Sequence, residues 1–176
     1  SSKELGRELS RSEEQLVVVE YVKNYRASFM QQNPFHVLPG VVELLDRLVD
    51  RENCVVGIQT GNIEDIGELK LRGAGIYHYF SFGAYCASFY DKTDVVRDAK
   101  RRLEEQGIRA EEIVVIGDSV RDINAGQSNQ CRTIGVATGS FSEDALRDAG
   151  ADCVLPDLRN AAVFLEQVLS LSGVRA

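Results

Sequence analysis

A chain of 176 residues, 44% hydrophobic and 27% charged, is long enough for one ordinary domain with a proper core and has the balance of a globular protein. Its formal charge of -7 argues against a nucleic-acid surface, because binding a phosphate backbone needs clustered Lys and Arg. No apolar run approaches the roughly 20 residues that span a bilayer, and no basic start leads into a signal core, so a cytoplasmic protein with no membrane partner is expected. A small phosphorylated ligand is compatible with the charge, since a few backbone N–H groups and one Lys can hold it.

In chain order, residues 1–15 are polar and read as a solvated helix start or a ragged end. From 16 to 30, Leu16, Val19, Val22, Tyr25 and Phe29 recur at gaps of three and four, which predicts a helix. The Val17-Val18-Val19 run alone would suit a strand, but the length and the Lys23, Asn24 and Arg26 cluster favour helix. Breaks at 31–34 and at Pro39-Gly40 mark a linker. A helix is predicted over 41–49, then an apolar strand over 54–59 ending in Thr60-Gly61-Asn62. The next helix covers 64–72, with Asn62 as its cap. A short strand near 80–83 and a loop to Lys92 lead to a helix ending near 105. Strand 113–116 runs into Gly117-Asp118-Ser119, and strand 133–137 into Thr138-Gly139-Ser140. A helix over 143–148, a strand over 153–155 and a helix from 157 to about 171 complete the chain. Short apolar strands alternating with helices predict an α/β fold, a doubly wound parallel sheet covered on both faces. Gly73-Ala74-Gly75 ends a helix and follows no strand, so it is not a dinucleotide loop.

Chemistry in such a sheet gathers outside the carboxyl ends of the strands. Thr60-Gly61-Asn62 offers a hydroxyl and backbone N–H groups at a helix start, which suits an anion. Lys92, just before a helix, offers a cation for phosphate charge. Asp118 and Asp122 lie four residues apart across a strand end and a first helical turn, so both carboxylates can face one crevice. Their hard oxygens suit Mg²⁺. Each feature has a plainer explanation taken singly: Asp118 a helix cap, Asp122 a charge favoured by the helix dipole, Thr60-Gly61-Asn62 a turn, Lys92 a surface lysine. Their order along one sheet edge is what favours a site. His36 and His78 are too scattered for a metal cage. The four cysteines form no Cys-x-x-Cys pair and read as reduced, buried thiols.

That ordered set resembles the haloacid dehalogenase (HAD) superfamily of hydrolases, and within it the phosphoglycolate-phosphatase-like members. The resemblance runs from about Pro39 to Leu158. "LPGVVELLDRL" looks like the return from a cap into the core, and "VGIQTGN" like the second family motif with Thr60 as the phosphate-binding hydroxyl. "YDKTD" supplies Lys92 as the match to the third-motif lysine, without the usual following Pro. "VVIGDSVRD" matches the fourth motif, and "TIGVATGSFSEDALRDAGADCVLPDL" is similar to the closing stretch. The resemblance implies a HAD-like Rossmannoid core over 35–176 and part of a helical cap over 1–34. It implies phosphate binding by Thr60, Gly61, Asn62 and Lys92, Mg²⁺ held by Asp118 with Asp122 in support, and catalytic roles for Lys92 and Asp122. The implied substrate is a small phosphorylated metabolite, hydrolysed through an aspartyl-phosphate.

One departure stands out. The family's nucleophile is the first Asp of an Asp-x-Asp motif on the first, central strand, and this sequence contains no Asp-x-Asp. By analogy that strand would precede the cap, so the nucleophile is expected upstream of Ser1, and the 176 residues alone are expected to be inactive. The alternative is a non-catalytic module that binds phosphate or Mg²⁺. A serine esterase built on Gly117-Asp118-Ser119 is disfavoured, because such enzymes need a His base, commonly late in the chain, and both histidines precede Ser119. Oligomeric state is not legible.

Overall fold

The computed structural model describes residues 10–32, 35–86 and 91–172. The polar stretch 1–9, the break at 33–34 and most of the loop before Lys92 lie outside them. Helix α1 (Arg11–Gln32) is followed by α2 (Val41–Val49), β1 (Gly57–Thr60), α3 (Glu64–Gly73), a 3₁₀ turn (Tyr77–Tyr79), β2 (Phe82–Tyr85) and α4 (Lys92–Glu105). Then come β3 (Val114–Gly117), α5 (Val120–Ser128), β4 (Arg132–Val136), α6 (Glu143–Asp148), β5 (Cys153–Leu155) and α7 (Ala161–Ser172).

The pairing is parallel throughout, as alternating strands and helices require. It divides into two sheets: β1 pairs with β2, with Thr60 opposite Tyr85, while β4 lies between β3 and β5, with Gly117 opposite Gly135. Among the described residues no ladder joins β1 to β3. The sequence predicted one sheet; periodicity reveals strands but not which of them pair. The predicted strand over 54–59 shortens to Gly57–Thr60, since among the described residues its ladder partner is β2, which toward the N-terminus reaches no further than the bond from Ser81 N–H to the Val56 carbonyl (2.9 Å).

The three-stranded sheet is covered on both faces. On one, Leu44 and Leu48 of α2 and Phe164 of α7 pack on Ile134 and Val136 of β4. On the other, Val96 of α4 and Ala125 of α5 pack on Val115 of β3 and on Cys131. Alternate residues of a strand face opposite sides, so β4 serves one core with Ile134 and Val136 while Thr133 lies buried toward the other. Helix α2 shows the matching helical logic: Leu44 and Leu48, one turn apart, are buried, while Glu43 and Arg47 pair at 2.8 Å on the outer side. Beside β3, Ile116 stays 38% exposed, unusual for a strand of a parallel sheet, where both faces are normally covered.

Helix α1 extends further toward the N-terminus than its apolar spacing predicts. It meets the rest of the molecule through its second half. Arg26 pairs with Asp65 of α3, Phe29 stacks on Phe35 at 5.0 Å between ring centroids, and Lys70 of α3 lies 5.5 Å from the Tyr25 ring centroid. In its first half Leu16, Val17, Val19 and Tyr21 are exposed. No described helix is long and apolar enough to cross a membrane. Burial pushes the thiols of Cys54, Cys131 and Cys153 up.

Candidate active site at the strand ends

β1 ends at Thr60 and β3 at Gly117, and the side chains that follow meet between the two sheets. Lys92, the first residue of α4, donates from Nζ to Asp122 Oδ1 at 2.6 Å. Gln59 Nε2 donates to the same oxygen at 3.1 Å, from the penultimate residue of β1. Ser119 Oγ donates to Asp122 Oδ2 at 2.6 Å. Ser119 caps α5 and accepts from the Asp122 backbone N–H, so the turn that starts the helix also fixes the carboxylate. Asp122 is only 3% exposed, a depth at which a carboxylate needs such partners. Burial pushes its carboxyl up; hydrogen bonds from Lys92, Ser119 and Gln59 and the lysine charge outweigh that and hold it below the usual carboxylate range.

Gly117 makes this possible. A Cβ there would sit 2.2 Å from the Asp122 Cβ, so only glycine lets the carboxylate fold back against the strand end. Gly139, in the loop after β4, does the same for Asp118: a Cβ would fall 2.3 Å from Asp118 Oδ2. The two acids therefore differ. Both oxygens of Asp122 already accept from protein donors, whereas no described residue donates to the Asp118 carboxylate.

The Thr60-Gly61-Asn62 turn lies beside the lysine, whose Cε is 3.8 Å from where a Gly61 Cβ would be. Thr60 Oγ1 accepts from the Asn62 side-chain Nδ2 at 2.8 Å and from the Asn62 backbone N–H at 3.2 Å. Asn62 Oδ1 in turn accepts from Lys70 Nζ at 2.8 Å. Asn62 is thus not the cap of α3, as its place in the sequence suggested. Ile63 occupies the cap with no side-chain bond, because the Asn62 amide is turned back onto the hydroxyl and the lysine. Its backbone N–H is likewise engaged by Thr60 rather than left open.

Geometry thus joins Lys92 to Asp122 and to the Gly61 turn, and Thr60 to Asn62; Asp118 stands against Gly139. Sequence reading missed Gln59, Ser119 as a donor, and Lys70. Gln59 carried a signal, a polar residue inside an apolar strand, and Ser119 carried one as a hydroxyl next to Asp118. Lys70 carried none, since a lysine on a helix is ordinarily solvated. Two surface hollows lie elsewhere, about 360 Å³ beside Glu68, Tyr77 and Tyr85 and about 590 Å³ beside Lys100, Arg109 and Gln130, and neither includes these residues.

Alternating parallel strands with a lysine–aspartate pair and a Thr-Gly-Asn turn at their carboxyl ends define an α/β core with its polar cluster where such sheets carry their chemistry. The chain belongs to the haloacid dehalogenase-like hydrolases, whose family model matches residues 1–136. It is 24% identical over 157 residues to a phosphoglycolate phosphatase of Agrobacterium fabrum, covering 89% of this chain and 65% of that protein. It is 28% identical over 133 residues to a 5'-nucleotidase of Pseudomonas aeruginosa, covering 72% of this chain and 56% of that one. The chain therefore spans less than two thirds of the length of either curated relative. A crystal structure of a hydrolase from Pseudomonas syringae has the same fold, with a TM-score of 0.69, 23% identity, and coverage of 95% of this chain and 74% of the other.

Mg²⁺ chemistry is a property to be tested on the residues themselves. Among the described residues no group of three or more His, Cys, Asp or Glu side chains could hold a metal. Asp118, with no described donor on its carboxylate, is a hard-oxygen ligand of the right kind for Mg²⁺, and it would need further ligands. Asp122, already tied to Lys92, Ser119 and Gln59, is better placed to hold the lysine than an ion.

Proposed function

We propose that these residues form the phosphate- and metal-binding side of a Mg²⁺-dependent hydrolase of small phosphate monoesters, with the attacking aspartate supplied from outside this chain. The observation that carries the reading is the Lys92–Asp122–Gln59 junction, which sets a half-buried, charge-balanced lysine beside the Thr60-Gly61 turn, between two sheet edges that no described strand occupies. The relatives support it, being a phosphoglycolate phosphatase and a 5'-nucleotidase.

In this reading a carboxylate oxygen attacks phosphorus and the ester P–O bond breaks. The leaving alkoxide takes up a proton, and water then hydrolyses the aspartyl-phosphate. Thr60 and Lys92 bind the phosphoryl oxygens, and Asp122 keeps the Lys92 ammonium in place by hydrogen bond and charge. Positioning and charge neutralisation dominate phosphoryl transfer, which suits a site built from hydrogen-bond donors in a sequence without Asp-x-Asp. Asp118, with ligands from outside the described set, would hold Mg²⁺, which supplies charge neutralisation when bound. A binding module without turnover is the second reading, favoured by the absence of Asp-x-Asp from the sequence.

The test compares this chain with an extended polypeptide in which an Asp-x-Asp strand precedes it. With Mg²⁺ and a panel of sugar and glycolate phosphates, the chain alone should show no turnover above background. The extended form should hydrolyse at least one ester and yield a trappable acyl-phosphate. Mg²⁺ should raise the Tm of the extended form, and Asp118→Asn should abolish that rise. Phosphate trapped on Asp118 or Asp122 would overturn the assignment, and an inactive extended form would favour the binding module.

A further inference from the structure

Lys70 lies outside every motif, yet it reaches the Thr60 hydroxyl through a single intermediate. An ammonium can only donate, so the atom it meets at 2.8 Å must be the Asn62 carbonyl oxygen, Oδ1. That fixes which way the amide faces: Nδ2 points to Thr60 Oγ1 at 2.8 Å. The same oxygen accepts from the Asn62 backbone N–H at 3.2 Å. A hydroxyl has two acceptor lone pairs and one proton. With both lone pairs taken, the one thing Thr60 can still do is donate.

We propose that Lys70 is a positioning residue that, through the Asn62 amide, commits the Thr60 hydroxyl to donating and so to binding an anionic oxygen. Were the amide free to turn over, Oδ1 would face Thr60 and capture its proton, and the hydroxyl would offer a lone pair to an approaching phosphate. Lys70 blocks that state because its ammonium would then face an NH₂ group, donor against donor. The lysine is itself held: its Nζ lies over the ring of Tyr25 of α1, 5.5 Å from the centroid. Burial lowers its affinity for its proton, so a good acceptor is needed to keep it there charged. The consequence reaches beyond the turn, because a residue of α1 helps decide the donor state of a hydroxyl at the end of β1. The inference rests on Thr60 as the phosphate contact, and its test separates the two.

Two measurements on this chain decide it. The first needs no ligand. The Asn62 side-chain NH₂ should give two well-separated, slowly exchanging proton signals in the wild type. In Lys70→Met both should move to the shifts of a solvated Asn amide and exchange faster with water, and in Lys70→Arg, which keeps a cationic donor, they should stay near their wild-type positions. The second is the affinity for inorganic phosphate. Lys70→Met should weaken it about tenfold, the worth of one well-placed hydrogen bond. In a Thr60→Val background the same change should cost less than about twofold, because the hydroxyl it acts through is gone. Equal losses in both backgrounds would mean that Lys70 acts as a bare charge on the anion and would overturn the proposal. So would amide signals unchanged by Lys70→Met in a protein of wild-type Tm. A wild type with the expected amide signals but no phosphate binding would overturn the anion-binding half together with the phosphate-site reading, leaving the amide orientation standing.

Discussion

Asp152 shows how one carboxylate can tie two strands without touching the site. Its Oδ2 accepts from the Thr133 backbone N–H at 2.7 Å and from the Thr133 hydroxyl at 3.0 Å, and Arg132 donates to Oδ1 at 3.1 Å. Thr133 is fully buried on β4, so its N–H has no water to turn to. Burial pushes the Asp152 carboxyl up, but the Thr133 and Arg132 hydrogen bonds outweigh that and hold it below its ordinary value. A carboxyl depressed in the folded state stabilises above its unfolded pKa, and that stability goes as pH falls through the lower folded value. Asp152→Asn should therefore lower the Tm at neutral pH, by about 1–3 kcal/mol of stability for a poorly satisfied buried donor. The gap to wild type should begin to narrow as pH falls past the ordinary Asp value of about 3.9 and go on narrowing below it, through the lower folded value. Thermal melts across that range check it, and a gap constant with pH would count against the assignment.

At the scale of elements, α5 and α6 begin alike and do different work. Ser119 and Ser142 are both N-caps that accept from a backbone N–H three residues on. Ser119 also donates to Asp122 Oδ2, whereas Ser142 makes the cap alone. Ser142→Ala should cost about 1 kcal/mol, the ordinary worth of a cap. Ser119→Ala should cost more, because a buried carboxylate loses a donor as well. Denaturant midpoints of the two variants test the order. The element scale also shows what the sequence could reveal. Thr60, Lys92, Asp118 and Asp122 were legible because each sits where an apolar run ends or a helix begins, and punctuation of that kind is local. The Asn62–Lys70 bond was not, since the two lie eight positions apart and come together only after α3 has formed. Asn62 looked like a cap for the same reason: the local pattern names a good cap, and the lysine that claims it comes from the fold.

The whole molecule repeats that division. Two-faced coverage of a parallel sheet followed from strands alternating with helices, and the two cores around β4 bear it out. That the strands fall into separate sheets of two and three did not follow, because pairing is a tertiary choice. Between those sheets the chain relies on α4, whose Val96 packs on the β3 side while Lys92 at its start reaches the Gly61 turn, and on the Gln59–Asp122 bond.

Among the described residues no strand pairs with the second edge of β1 or of β3, which has a consequence for isotope labelling. In a parallel strand, successive residues direct their amides to opposite neighbours, so a strand paired on one side protects only every second N–H. Deuterium should therefore enter β1 and β3 in alternation, fast at one residue and slow at the next. The same amides of β4, flanked by β3 and β5, should all fill slowly. In the extended polypeptide proposed above, a strand seated between them would silence the fast positions in both edges at once. A residue-resolved exchange profile would then read, amide by amide, whether the slot is filled.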